Sequence, residues 1–244
     1  MRSTSAGPEH LLVTGLPRTG TSLIAGALAR HAEVAMLNEA PQEYAALIIG
    51  KRFAGNKLYL PSQVDYRFAE DGRRRLSLRR RQEGRKKGYL YSYMEQRTRI
   101  VLTYREASSS IEALVSAMAV QPDVAVRLWA HGMELSSKLV KDYRRRLFVC
   151  EYESLKENPT QELSRVLSFL SLERDEACSS FLRDSFEVPH MSQPDDSVDR
   201  WRLSELAPKA FAMYNGLCSF RMECEARQAS DSDGGEEASD RSLP

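Results

Sequence analysis

The sequence predicts an α/β protein: a parallel sheet covered by helices on both faces, in a single domain. Three observations predict it. The chain has 244 residues, 42% of them apolar, enough to bury one full core. Four short β-rich runs alternate with stretches whose apolar residues recur at helical spacing, the pattern of parallel strands joined by crossover helices. The first run ends in a glycine turn that opens straight into a helical repeat, "LLVTGLPRTGTSLIAGALARH", residues 11–31.

The elements follow in order. "HLLVTGL", 10–16, is a buried strand, and a helix over about 21–30 begins with Thr21 and Ser22, whose hydroxyls suit a helix N-terminus. "EVAML", 33–37, reads as the second strand and "RIVLTY", 99–104, as the third. Ser108, Ser109 and Ser110 open a helical run through Met118. "RLFVCEY", 146–152, is the fourth strand. Asn158, Pro159 and Thr160 start a helix with Leu163, Val166, Leu167 and Leu170 on one face. Between these, 40–98 reads as loop and helix over the sheet, with a helix near 44–51. Residues 1–9 are expected to be a flexible N-terminus, 10–222 the folded domain, and 223–244 a tail. The stretch 228–244, "QASDSDGGEEASDRSLP", is too acidic, small and polar to order itself.

Charge and composition exclude several classes. A net charge of +1 is not that of a polycation built for nucleic acid. The basic run 73–87, "RRRLSLRRRQEGRKK", fits a solvated loop or an electrostatic funnel for an anionic cofactor; without interleaved aromatics it argues against nucleic-acid contact. The four cysteines form no CxxC pair, which fits free thiols in a reducing compartment. With no signal-peptide pattern and no apolar run near the roughly 20 residues of a membrane helix, the expected location is cytoplasmic.

Residues 15–22, "GLPRTGTS", almost spell the phosphate loop of P-loop proteins, so the sheet is expected to be of P-loop type. Thr21 stands where such a loop carries lysine, and the cation is Arg18, three positions earlier. Backbone N–H groups of a glycine turn leading into a helix N-terminus make an anion site. A guanidinium at the mouth of the loop can bridge oxygens on two adjacent groups, which suits a terminal group being pulled off a 5′-phosphate without a metal. In a parallel sheet the ligand lies beyond the carboxyl ends of the strands. The segments 15–22, 38–39 and 105–110 are therefore expected to converge.

"GLPRTGTSL" resembles the 5′-phosphosulfate loop of sulfotransferases that use 3′-phosphoadenosine-5′-phosphosulfate (PAPS), in the arginine version of tyrosylprotein sulfotransferases and bacterial relatives. "RIVLTYREASSSIEALVSAM" is similar to the strand and helix that hold the 3′-phosphate, "LFVCEYESLKENPTQELSRVLSFLSLE" to the family's Tyr-Glu-x-Leu segment, and "SVDRWRLSEL" to the late Arg-Trp loop over the cofactor. The resemblance spans about 10–220. It implies a transferase with PAPS as co-substrate, PAP as product and no metal. It places Pro17, Arg18, Thr19, Gly20, Thr21 and Ser22 around the phosphosulfate, Arg105 on the 3′-phosphate, Tyr152 near the adenine, and Arg200 and Trp201 on the closing loop. The family's partner serine falls on Ala113, so Ser110 or Ser116 is the candidate substitute.

Transfer of a sulfuryl group to a hydroxyl needs a fixed cation for the leaving phosphate, which Arg18 supplies, and a general base for the acceptor's proton. The base resembles that of the tyrosylprotein type: Glu39, 21 positions after Arg18. Glu83 and Glu95 are rivals. The expected acceptor is a hydroxyl of a small molecule, lipid or glycan, with 121–145 a plausible wall of its pocket or plain core. A divergent P-loop kinase and a non-catalytic PAP-binding protein of the same fold are the alternatives.

Overall fold

The computed structural model describes residues 7–40, 44, 47–60, 98–187 and 203–233. Five strands, β1 (Glu9–Gly15), β2 (Val34–Asn38), β3 (Phe53–Tyr59), β4 (Arg99–Tyr104) and β5 (Leu147–Glu151), form one parallel sheet in the order β2-β3-β1-β4-β5. The helices are α1 (Thr21–Leu28), α2 (Ala107–Met118), α3 (Pro122–Tyr143), α4 (Tyr152–Glu157), α5 (Pro159–Leu170), α6 (Glu176–Glu187), α7 (Leu203–Leu206) and α8 (Pro208–Asp233). The α/β class, the parallel sheet and the single domain are as the sequence predicts.

Successive residues of a strand point to opposite faces, and the core divides accordingly. Leu12, Leu58, Ile100, Leu102 and Val149 pack under α2, α3 and α8 through Ile111, Leu114, Trp129, Met133, Leu217 and Phe220. Leu11, Val13, Phe53, Val101 and Phe148 pack under α1, α5 and α6 through Ile24, Leu28, Leu163, Val166, Leu170 and Leu182. The apolar face of α3 is core: Ala125, Trp129, Met133 and Leu139 are buried.

Two expectations for 40–98 are corrected. Among the described residues there are five strands, not four, because β3 lies within the stretch read as loop and helix. Its sequence, FAGNKLY, breaks the apolar run with Gly55, Asn56 and Lys57, yet it sits between β1 and β2 and is almost wholly buried. The helix near 44–51 is not found among the described residues of that stretch: Tyr44 and Leu47 lie in tight 3-10 turns, and 48–52 is irregular. Tyr44, Leu47 and Ile49 are exposed, so a helix there would gain no burial.

α8 carries the chain to Asp233, past residue 222 where the domain was expected to end. It is fastened by charge as well as by packing. Arg221 pairs with Glu151 at the end of β5, with Glu225 at 2.8 Å and with Glu162 at 3.7 Å, and donates to Ser154 Oγ at 2.9 Å. Arg165 closes the network on Glu162 at 3.1 Å and Glu225 at 2.9 Å. Glu162 is only 1% exposed, and a carboxylate so buried is tolerable only because both arginines hold it. Burial and the nearby Glu162 carboxylate push the Cys150 thiol well up.

Removing one partner from a buried ion network leaves an uncompensated charge. Arg221→Ala is therefore expected to lower the unfolding free energy by about 3 kcal/mol in urea denaturation, and a loss under about 0.5 kcal/mol, the size of an ordinary surface change, would contradict this account.

Candidate functional site

The carboxyl edge of the sheet gathers the loop 15–22 after β1, Glu39 and Ala40 after β2, Lys57 and Tyr59 at the end of β3, Arg105 after β4 and Tyr152 and Glu153 after β5. The loop is tied down from within. A Cβ at Gly15 would lie 2.3 Å from the Thr103 carbonyl oxygen, so only glycine lets β1 leave the sheet this close to β4. Buried Thr19 donates its hydroxyl to the Leu16 carbonyl at 2.7 Å and meets the Thr103 hydroxyl at 2.8 Å. Gly20, at φ +91°, caps α1 in the left-handed region, and its carbonyl accepts from the amides of Leu23 and Ile24. No side chain caps α1, so the amides of Thr21 and Ser22 face the loop side for an anion.

Four described non-glycine residues have positive φ. Ala119 and Ser171 are ordinary left-handed helix C-caps. The other two are Arg18, at φ +70°, and Glu39, at φ +54°, the expected cation and the expected base. Neither ends a helix, and such strain collects at functional sites. Arg18 is exposed and Pro17 half-buried in the loop.

Beside the loop sits a group the sequence reading did not select. Lys57, 5% exposed, lies in the middle of it. Its ammonium donates to Glu39 Oε1 at 3.1 Å and to Tyr59 Oη at 2.9 Å, and it stands 3.5 Å from Ser22 Oγ. Tyr59 Oη is in turn 3.1 Å from Ser22 Oγ. Glu39 is thereby joined to the phosphate loop through one buried cation. The turn after β2 is clamped as well: Glu39 N donates to Lys57 O at 2.9 Å, and fully buried Asn56 donates to Ala40 O at 2.6 Å. Burial raises the Tyr59 phenol, but the hydrogen bonds from Lys57 and Ser22 and the charge of Lys57 outweigh it and hold Tyr59 below its ordinary value.

On the other side of the loop, the Arg105 guanidinium lies 4.6 Å above the Tyr152 ring, with Nε 3.6 Å from Glu153 Oε1. Tyr152 also flanks the loop, since a Cβ on Gly20 would come within 3.2 Å of its ring. Burial raises the Glu153 carboxyl, and the amide of Glu106 and the charge of Arg105 offset this only in part. Glu106 accepts from Ser108 N and Ser109 N and so caps α2. Ser110 is buried with its hydroxyl on the Arg105 carbonyl at 3.2 Å, while exposed Ser116 bonds back to Glu112 O. The structure thus brings Arg18, Thr19, Gly20, Thr21, Ser22, Glu39, Arg105, Ser110 and Tyr152 to one edge. Arg200, Trp201, Glu83, Glu95 and the basic run 73–87 lie outside the described residues. Among the described residues no group of three His, Cys, Asp or Glu could hold a metal ion, and no helix is long and apolar enough to cross a membrane.

No protein-family model and no curated protein matches the sequence. Solved structures do match. A sulfotransferase domain from the curacin biosynthetic pathway superposes with a TM-score of 0.51 at 13% identity, covering 70% of this chain and 76% of that one. Sulfotransferase STF9 from Mycobacterium avium gives 0.50 at 13%, covering 86% and 76%. The chain has the sulfotransferase fold.

The Thr19–Thr103 contact makes a local prediction. Thr19→Val and Thr103→Val should each cost about 1–2 kcal/mol in urea denaturation, and the double variant clearly less than their sum, because one shared hydrogen bond is lost. Strict additivity would contradict the contact.

Proposed function

We propose that the protein is a PAPS-dependent sulfotransferase that moves a sulfuryl group onto a hydroxyl of a small molecule, lipid or glycan. The observation that carries this reading is the bridge from Glu39 through Lys57 to Ser22, which sets a carboxylate beside a phosphate loop. In nucleoside triphosphatases the serine or threonine at the position of Ser22 holds Mg²⁺. Here the Lys57 ammonium occupies that neighbourhood, so fixed positive charge is available without a divalent ion.

In this reading the 5′-phosphosulfate lies on the amides of Thr21 and Ser22 and on residues 17–22, with Arg18 and Lys57 on the oxygens where charge develops. Arg105 takes the 3′-phosphate, exchanging its pairing with Glu153 for a phosphate oxygen, and the Tyr152 ring lies against the adenine. Arg200 and Trp201 belong to the closing segment. The acceptor hydroxyl attacks sulfur in line with the bridging oxygen, and Glu39 takes its proton. Lys57 holds one carboxylate oxygen of Glu39 and leaves the other for the acceptor. The sulfotransferase fold supports the class of reaction, and the pairing of carboxylate and cation at the loop favours turnover over a purely binding role.

Calorimetric titration with PAP and a PAPS transfer assay over a panel of hydroxyl compounds test the proposal. Wild type should bind PAP and transfer with or without EDTA. Glu39→Gln should transfer at least about 10²-fold more slowly, the usual contribution of a general base, with PAP affinity within about threefold, well under one tenfold step. Absence of PAP binding contradicts the function, and an undiminished Glu39→Gln rate contradicts the base.

A further inference from the structure

Tyr59 has the geometry of a reacting group rather than of a support. A lysine ammonium has donors and no acceptor, so Tyr59 Oη accepts from Lys57 at 2.9 Å. The phenol keeps a proton of its own to give, and Ser22 Oγ, in the first turn of α1, lies 3.1 Å away in a contact that either hydroxyl can donate. The Thr21 hydroxyl also reaches Tyr59 Oη. Both are loop residues that the proposed function puts on the phosphosulfate. Tyr59 is half-buried and is held in place by the Lys57 ammonium 4.0 Å from its ring centre and by the bond from Leu60 N to Gly15 O at 2.8 Å.

We infer that Tyr59 is a catalytic hydrogen-bond donor to the leaving phosphate, its hydroxyl turning from Ser22 to the bridging oxygen of the phosphosulfate when cofactor binds. The inference rests on the sulfotransferase reading above and adds a residue to that site. The step balances as follows. The acceptor oxygen forms a bond to sulfur, the bond from sulfur to the bridging oxygen breaks, and its electron pair stays on that oxygen. The acceptor's proton goes to Glu39 and from there to water. Tyr59 keeps its proton and shares it with the oxygen that gains charge. One ammonium thus serves both ends of the displacement, orienting the carboxylate of Glu39 and polarising the phenol of Tyr59.

A donor must be protonated. Among the described residues the charged groups around Tyr59 are Lys57 on its own strand and, through Lys57, Glu39 at the end of β2; α1 presents the uncharged hydroxyls of Thr21 and Ser22. Lys57 holds the phenol below its ordinary value, so activity should decline as pH rises through a value under the usual tyrosine figure of about 10.

The test measures PAP release from PAPS, in water and with an acceptor hydroxyl, as kcat/KM across pH for wild type and Tyr59→Phe. Tyr59→Phe keeps the ring against Lys57 and should be about 10²-fold slower, the usual loss for one charge-stabilising donor, should bind PAP, which keeps the bridging oxygen, less tightly, and should lose the alkaline decline. A merely structural role would not remove that decline. A Tyr59→Phe enzyme with the wild-type rate and the wild-type alkaline limb overturns the role of Tyr59 and leaves the sulfotransferase reading standing. A wild type that binds no PAP overturns the sulfotransferase reading itself, and one that binds PAP but cleaves no PAPS overturns the catalytic role.

Discussion

The site depends on one buried ammonium ion. An unpaired charge taken out of water costs several kcal/mol even after relaxation, so Lys57, 5% exposed, has to find partners at the edge of the sheet. It finds three: Glu39, Tyr59 and, more distantly, Ser22. Each belongs to a different element, and satisfying the cation therefore fixes the end of β2, the end of β3 and the start of α1 relative to one another. The strand register delivers Lys57 there, since it pairs with Asn38 of β2 and Val13 of β1. The loop's own hydrogen bonds through Thr19 and Thr103 hold it against β4 from the other side.

This arrangement answers the puzzle of a phosphate loop without its lysine. In the proposed function the loop keeps the glycine turn, the helix start and the hydroxyls, and Lys57 on the neighbouring strand adds its charge to that of Arg18. The Lys57 ammonium on β3 touches the loop and a carboxylate at once. The strained backbone of Arg18 and Glu39 fits the same picture, because Asn56 and the Glu39 amide bond hold the second of these turns in place. On the far side of the loop Arg105 rests on Tyr152 and Glu153, the pairing that the proposed function has a phosphate replace.

The parts of this that were legible in the sequence were those with a local signature. Residues 15–22 announce themselves by glycine spacing, and β1, β4 and β5 by uninterrupted apolar runs that a parallel sheet buries on both faces. Glu39 and Arg105 were placed at the sheet edge by their positions after strands, and their proposed roles came from the family resemblance. β3 was not legible, because a strand whose middle reads Gly-Asn-Lys carries polar groups that only tertiary partners satisfy: Asn56 on Ala40 and Lys57 on Glu39. Lys57 and Tyr59 were missed with it. The signal available was the apolar and aromatic run "LYL" at 58–60, too short to outweigh the polar residues before it. The Arg221 network was equally hidden, since its carboxylates lie on β5, α5 and α8 and meet only in the fold.

The central claim is that the charge missing from the loop is supplied by Lys57. Isothermal titration of PAP into wild type and Lys57→Met, which keeps the length of the side chain and removes its charge, tests it most directly. A charge-assisted hydrogen bond to phosphate is worth about 1.5–3 kcal/mol, so the account predicts PAP affinity about 10- to 100-fold weaker in Lys57→Met. Equal affinity in the two proteins would mean that the ammonium only fills the fold, and would contradict the account.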